Sequence, residues 1–274
     1  MYGISAADFS MQHVEVSLVI IRFLGMHNAE SRDTKLVSFL IDDVLAVDAG
    51  NLTSGLSFAE QENIKAILLS HGHYDHIKDV PAFAFNNSQR TTKVFASQRT
   101  LEILSSHLVD GLIYPEFTNR NSYLGRPALE LSPLEPFKPK NIEGYRVLAI
   151  PVHHPIDAIG FGITSREGKE ILYTGDTGPG LSPLWNHLNP QVLITDLTFP
   201  NRFTNVVEET GHLCPQMLET ELIEFRRVRG YLPKVILTHL SPKFEEEIRK
   251  EVMEVAKELR LSIEFANEGE RVIV

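Results

Sequence analysis

The stretch Leu68-Leu69-Ser70-His71-Gly72-His73-Tyr74-Asp75-His76 packs three histidines and an aspartate into six residues. An apolar, β-favouring run from Ala66 to Leu69 leads into it, so the cluster sits where a buried strand ends. Side chains in a turn after a strand can converge on one point, as a metal ion requires and as a regular helix or strand hinders. Imidazole and carboxylate are ligands for zinc, iron or manganese, and no thiolate lies nearby to make a closed structural site. A histidine-rich surface turn, the bland alternative, does not account for this spacing directly after a strand. The cluster reads as a metal site.

Working outward, short apolar strands alternate with longer polar or helical segments. Strands are predicted over Val14 to Leu24, Ile64 to Ser70, Lys93 to Ala96, Tyr145 to Pro151, Gly160 to Thr164, Glu170 to Thr174, Val192 to Thr195 and Val235 to Thr238. Lys35 to Ile41 and Val44 to Asp48 read as a hairpin about Asp42-Asp43, and Ser262 to Phe265 with Arg271 to Val274 finish a sheet. Thr100 to His107 reads as a helix burying Leu101 and Leu104, and Pro215 to Val228 as one stopped by Gly230. Ser241-Pro242 is expected to cap a helix whose apolar positions are Phe244, Ile248, Val252, Val255 and Leu259. Asp110 to Lys140 shows no clear period and reads as an irregular excursion that can cover the site. No repeat or linker divides the chain, so residues 1–274 read as one domain.

Three more residues stand just past predicted strands: His154 after Val147 to Val152, Asp176 after Ile171 to Thr174, and His239 after Val235 to Thr238. Strands of one sheet bring their ends to one rim, so these side chains can meet the cluster at His71.

Composition narrows the function. The chain has 274 residues, 43% of them hydrophobic, which describes a globular protein with a sizeable core. Its 26 basic and 36 acidic residues give a net charge of −10, which argues against a long polynucleotide partner. The single cysteine, Cys214, excludes an internal disulfide and fits a reducing compartment. Residues 14 to 24 are too short and too charged to span a bilayer. A cytoplasmic protein, with no membrane partner and with homodimer formation left open, is the expectation.

At this point the residues resemble the metallo-β-lactamase superfamily. The motif H-x-H-x-D-H stands here as His71-Gly72-His73-Tyr74-Asp75-His76, followed by His154, by Asp176 in Thr174-Gly175-Asp176-Thr177-Gly178, and by His239 in Leu237-Thr238-His239-Leu240. The resemblance implies an α/β fold, a four-layer αββα sandwich, with two divalent metal ions at one edge of its sheets. It assigns one metal to His71, His73 and His154, the other to Asp75, His76 and His239, and a bridging role to Asp176. His154 is preferred to His153 because the run from His154 to Gly160-Phe161 matches the family's spacing. Asp48, in Val47-Asp48-Ala49-Gly50, resembles the family's aspartate that orients ligands, and Asp196 is given a similar supporting place. Zinc is the expected metal, with iron and manganese as alternatives.

Within the superfamily, the segment from Leu193 to His239 resembles the class II cyclic-nucleotide phosphodiesterases. The matching pieces are Thr195-Asp196-Leu197-Thr198-Phe199-Pro200-Asn201, Gly211-His212-Leu213-Cys214-Pro215 and Thr238-His239-Leu240-Ser241-Pro242. Tyr74 stands where that group favours leucine, Asp79 where it favours glycine, and Ser241 where it has lysine. The resemblance implies attack by a metal-bridging hydroxide on a small phosphodiester such as a 3′,5′-cyclic nucleotide. His212 would protonate the leaving oxygen, and Asp75 would relay a proton. A helix-start histidine bonded to backbone is the bland reading of His212, but Gly211 and Pro215 place it at a loop-to-helix junction.

The alternatives are a lactonase or thioesterase on the same centre, a ribonuclease Z-like nuclease, and a di-iron redox protein. Ribonuclease Z-type enzymes usually carry a long RNA-gripping arm between the third histidine and the bridging aspartate, and here His154 and Asp176 are close in sequence. The redox proteins usually come with a flavodoxin-like partner domain. His13, His27, His107 and His187 read as ordinary polar histidines, Arg226-Arg227-Val228-Arg229 as a solvated helix end, Cys214 as inert packing, and Tyr114, Phe117 and Tyr123 as loop anchors.

Overall fold

Apolar residues that alternate between two faces of short strands build two stacked sheets. The computed structural model describes residues 18–119 and 125–274. The first sheet contains β1 (Ile20–Gly25), β2 (Ser38–Ile41), β3 (Leu45–Val47), β4 (Ala66–Leu68), β5 (Thr92–Ala96) and β6 (Leu129–Pro133). The second contains β7 (Lys140–Ile142), β8 (Tyr145–Pro151), β9 (Ile159–Thr164), β10 (Glu170–Tyr173), β11 (Val192–Asp196), β12 (Lys234–Thr238) and β13 (Ile263–Phe265). The last strand, β14 (Arg271–Ile273), returns to the first sheet beside β1, giving the orders β14-β1-β2-β3-β4-β5-β6 and β13-β12-β11-β10-β9-β8-β7.

The pleat decides which core each residue joins. Leu45, Val47, Ala66 and Leu68 face the second sheet and pack with Val147, Ala149, Phe161 and Ile163. Their neighbours Ala46, Ile67 and Leu69 point the other way, into a second core with Phe83, Leu101 and Leu104. That outer core is covered by α1 (Phe58–Gln61), α2 (Tyr74–Ile77), α3 (Val80–Asn86) and α4 (Gln98–His107). On the far side lie α5 (Thr204–Thr210), α6 (Pro215–Arg229) and α7 (Glu245–Leu259), with Leu218, Leu222, Phe225, Ile248 and Val252 packed on the second sheet. The result is the expected αββα sandwich.

Parallel pairing explains where a site can form. β3 through β6 run parallel, as do β10 through β13. Their carboxyl ends therefore emerge at one rim, where ligands bind in open α/β sheets. At that rim the two sheets are tied together: Ile159 N–H donates to the Ser70 carbonyl at 2.9 Å, and His71 forms an isolated bridge with Ala158.

Three expectations need correction. The excursion contains one strand, β6, and ends where another, β7, begins; their polar residues concealed them. The described residues before β6 are anchored away from the rim: Ala128 and Leu129 N–H both donate to the Phe117 carbonyl, at the start of β6 and so at the opposite end of the parallel strands. The final long helix is not capped by Ser241. Ser241 closes a turn by accepting from Phe244 N–H at 3.0 Å, and the helix begins at Glu245. Glu245, Glu246 and Glu247 then place negative charge at its positive end. Val14 to Ser17 of the first predicted strand, His13 and Tyr123 lie outside the described residues. Among the described residues no helix is long and apolar enough to cross a membrane.

Candidate metal centre

Side chains from both sheets converge at the rim. His71, His73, Asp75 and His76 come from the turn after β4 and from α2. His154 comes from the loop between β8 and β9, Asp176 from beyond β10, and His239 from beyond β12. Two adjacent groups result: His71, His73, His154 and Asp176, and Asp75, His76 and His239, each with one ligand atom per residue within 4.8 Å of the others. In the first, His71 Nε2 and His154 Nε2 approach His73 Nδ1 at 3.0 and 3.1 Å. In the second, Asp75 Oδ2 lies 3.3 Å from His239 Nε2 and 3.7 Å from His76 Nε2.

Asp176 stands between the groups. Its Oδ2 is 3.7 Å from His71 Nε2, 3.3 Å from His76 Nε2 and 3.2 Å from His239 Nε2. The structure thus brings together all seven residues that the family motif points to. His153 faces solvent instead; its backbone carbonyl accepts from Gly178 N–H at 2.7 Å and so steadies the Asp176 loop.

The outer nitrogens decide which inner nitrogens carry lone pairs. His154 Nδ1 lies 3.0 Å from the Gly211 carbonyl, a pure acceptor, so it carries the proton and Nε2 faces the centre as a lone pair. His76 Nδ1 lies 2.8 Å from Asp48 Oδ2, which fixes the ring with Nε2 turned to the centre. His239 Nδ1 meets Thr198 Oγ1 at 2.8 Å, and that hydroxyl is also 3.2 Å from the His239 carbonyl, an acceptor for its own proton. Gly211 must be glycine for this contact. Its φ is +68°, and a Cβ there would lie 2.7 Å from Pro155 Cδ and 2.9 Å from His154 Cα.

Electrostatics divide the histidines. Burial holds His71 well below the usual imidazole pKa, and brings His154 down to about 4. Burial also opposes charge on His76, but Asp176 and Asp48 outweigh it and hold its pKa well above the ordinary value. Asp176 is likewise fully buried, yet His239 and His76 keep it well below the carboxylate range. Two buried atoms at this point, His76 Nε2 and Asp176 Oδ1, have no hydrogen-bond partner. Orphaned polar atoms facing one another across a cluster of five imidazoles and two carboxylates fit divalent cations. Asp48 and His239 adopt φ of +54° and +59°, a strained conformation that clusters at functional sites.

His212 and Asp196 form an adjoining pair. Asp196, buried at the end of β11, accepts from His212 Nδ1 at 3.0 Å and from Thr177 N–H at 3.2 Å. Burial opposes charge on His212, but the Asp196 hydrogen bond and negative charge raise its pKa. The ring stacks on His239 with centroids 5.1 Å apart, and it is close enough to Asp176 and His239 to form a third ligand-like group. Ser70, Tyr173, Thr198 and the Gly211 carbonyl also hold the site and were missed in the sequence. Thr198 and Gly211 lie in the stretches that resemble the phosphodiesterases, whereas Tyr173 looks like any apolar strand residue.

Comparison with known proteins agrees with this geometry. A family model described as the beta-lactamase superfamily domain matches residues 39–240. Ribonuclease Z of Thermoplasma acidophilum is 29% identical over 273 residues, covering 80% of this chain and 86% of that protein. Unliganded yeast PDE1 superposes with a TM-score of 0.79 at 17% identity, covering 94% of this chain and 99% of that one. Human tRNase Z, short form, superposes with a TM-score of 0.64 at 16% identity, covering 92% and 98%. At such identities the superpositions speak for the fold alone. Through its family match and its strand-end histidines and aspartates, the chain belongs to the metallo-β-lactamase superfamily, as a metal-dependent hydrolase.

Proposed function

We propose that the chain is a phosphodiesterase with two divalent metal ions, acting on a small phosphodiester, with a 3′,5′-cyclic nucleotide the favoured substrate. The observation that carries this reading is the Asp196–His212 pair beside the convergent ligands. Hydrolysis of a diester expels an alkoxide, which needs a proton, and His212 is arranged to hold one. Asp196 fixes Nδ1–H and favours the protonated ring, leaving Nε2–H free to donate. Cations held by His71, His73, His154 and by Asp75, His76, His239, with Asp176 between, would supply hydroxide at neutral pH and neutralise charge at phosphorus. Zinc suits this imidazole-rich donor set.

Two observations favour a small substrate. The chain between His154 and Asp176 is taken up by β9 and β10, leaving no length for an RNA-gripping arm. Beside the hairpin that carries His154 lies a cavity of about 630 Å³, with Pro133, Leu134, Pro136, Pro151 and Ile159 on its apolar wall and Arg99, Glu102, Glu135 and Asp157 also lining it. That size, with one apolar wall and a few polar groups, suits the organic part of a small ester.

A ribonuclease Z-like nuclease is the second reading, favoured by the 29% identity to the Thermoplasma enzyme. Metal-reconstituted protein assayed on cyclic nucleotides, a chromogenic phosphodiester, a precursor transfer RNA, lactones and thioesters separates them. Turnover of cyclic nucleotides supports the proposal. Turnover of the RNA alone establishes the nuclease, and turnover of lactone or thioester alone refutes both.

A further inference from the structure

We propose that Tyr173 and Ser70 are positioning residues for the metal centre, acting through Asp48 to fix the ring of His76. This rests on the reading of the rim as a two-cation site. Asp48 is completely buried, and its carboxylate gathers four donors. Ser70 N–H reaches Oδ1 at 2.8 Å; Ser70 Oγ at 2.8 Å, Tyr173 O–H at 2.6 Å and His76 Nδ1 at 2.8 Å all converge on Oδ2. The oxygen that orients His76 is therefore the one that Tyr173 and the Ser70 hydroxyl hold in place.

The direction from which Tyr173 arrives gives it a further part. Asp48 and His76 follow strands of the first sheet, whereas Tyr173 lies on β10 of the second, three residues before Asp176. The hydroxyl thus links the strand that delivers Asp176 to the carboxylate that orients His76. Each side of the intended metal separation is referred to the other by one hydrogen bond across the sandwich core. Tyr173 is itself held there, edge-on to Phe39 with centroids 5.1 Å apart and planes at 84°. Losing the partner of a ligating histidine typically weakens metal binding 10–100-fold, and losing a donor that holds that partner should cost less.

The test is stepwise metal titration of the metal-free protein against a chromophoric chelator, with cobalt(II) spectra reporting the ligand field. Tyr173→Phe should weaken one equivalent, that of the Asp75, His76 and His239 group, by up to roughly 10-fold and spare the other. Ser70→Ala keeps the backbone donor but removes a hydroxyl that meets both Asp48 Oδ2 and, at 3.0 Å, His71 Nδ1, so it should weaken both equivalents; its loss in the Asp75, His76 and His239 equivalent carries the test if Tyr173→Phe does not fold. Tyr145→Phe is the control, because Tyr145 also crosses the sandwich to an aspartate, Asp42, but at the far end. Unchanged affinities in a folded Tyr173→Phe protein overturn the proposal, as does an equal loss in Tyr145→Phe, which would report general loosening of the sheets. Wild-type protein that takes up fewer than two equivalents overturns the two-cation reading itself, and is recognised before any variant is made.

Discussion

Replacing His212 by alanine tests whether the Asp196–His212 pair moves a proton. The ring is largely buried, hydrogen-bonded through Nδ1 to a fully buried carboxylate, and stacked on His239, so its position is fixed before substrate arrives. A positioned general acid contributes about 10²–10⁴-fold. His212→Ala should therefore slow hydrolysis of a cyclic nucleotide by at least about a hundredfold, equivalent to about 2.7 kcal/mol of barrier. A nitrophenolate departs without a proton, so the loss on a nitrophenyl phosphodiester should be much smaller. Asp196→Asn should show the same leaving-group pattern, because it removes the charge that favours protonated His212 while leaving the ring in place. Steady-state turnover on both substrates, with metal content measured in each preparation, is the assay. Equal losses on good and poor leaving groups would refute the acid role and leave His212 as a phosphate-binding group. Loss of a metal equivalent would make His212 a ligand, as its approach to Asp176 and His239 permits.

Elemental analysis after chelation and reconstitution should approach two equivalents of metal per chain; saturation at one, or retention of both in a His71→Ala, His76→Ala double variant, contradicts the ligand set. Asp176→Ala should leave the apolar sandwich folded by circular dichroism yet keep less than about a tenth of turnover, a barrier increase of at least about 1.4 kcal/mol, since one carboxylate faces both groups. Away from the centre, Glu60 closes a capping box with Ser57 and pairs with Arg22, and these bonds lower its pKa to about 2. A depressed carboxylate stabilises the fold above its unfolded pKa, so Glu60→Ala should cost about 1 kcal/mol or less at pH 7. In denaturant melts the gap between wild type and variant should narrow as pH falls below 4.5 and close near 2; a gap independent of pH would refute the assignment.

Much of this architecture was legible because local pattern and tertiary role coincide. The run from Ala66 to Leu69 alternates between the two cores, and the same residues that read as a strand deliver His71 to the rim. His154, Asp176 and His239 were visible for the same reason, each just past an apolar segment. The hairpin about Asp42-Asp43 was legible from its turn, where both aspartates adopt positive φ. β6 and β7 were not, since Leu129–Pro133 and Lys140–Ile142 lie near one edge of the sandwich, where solvent relaxes the apolar alternation. The true start of α7 was hidden because a serine-proline pair can close a turn as readily as it can cap a helix.

What stayed illegible at the centre is the set of acceptors behind the ligands, and the reason is physical. A ligand must bring a particular side chain, so its chemistry shows in the sequence. An acceptor behind a histidine need only present an oxygen, and here the oxygens are of different kinds: the Gly211 carbonyl behind His154, the Thr198 hydroxyl behind His239 and the Asp48 carboxylate behind His76. A backbone carbonyl has no letter of its own, and Gly211 betrays its contact only because no larger residue fits beside His154. Unequal surroundings also make unequal ligands. Asp176 and Asp48 push His76 toward the charged form against its burial, while burial brings His154 down to about 4 although its Gly211 bond opposes this. A cation taken up by the Asp75, His76 and His239 group would then displace a proton from His76, whereas one held by His71, His73 and His154 would meet imidazoles that burial keeps neutral. On the proposed two-cation reading, uptake by the Asp75, His76 and His239 group should therefore fall more steeply as pH drops, because Asp176 and Asp48 together favour a proton on His76.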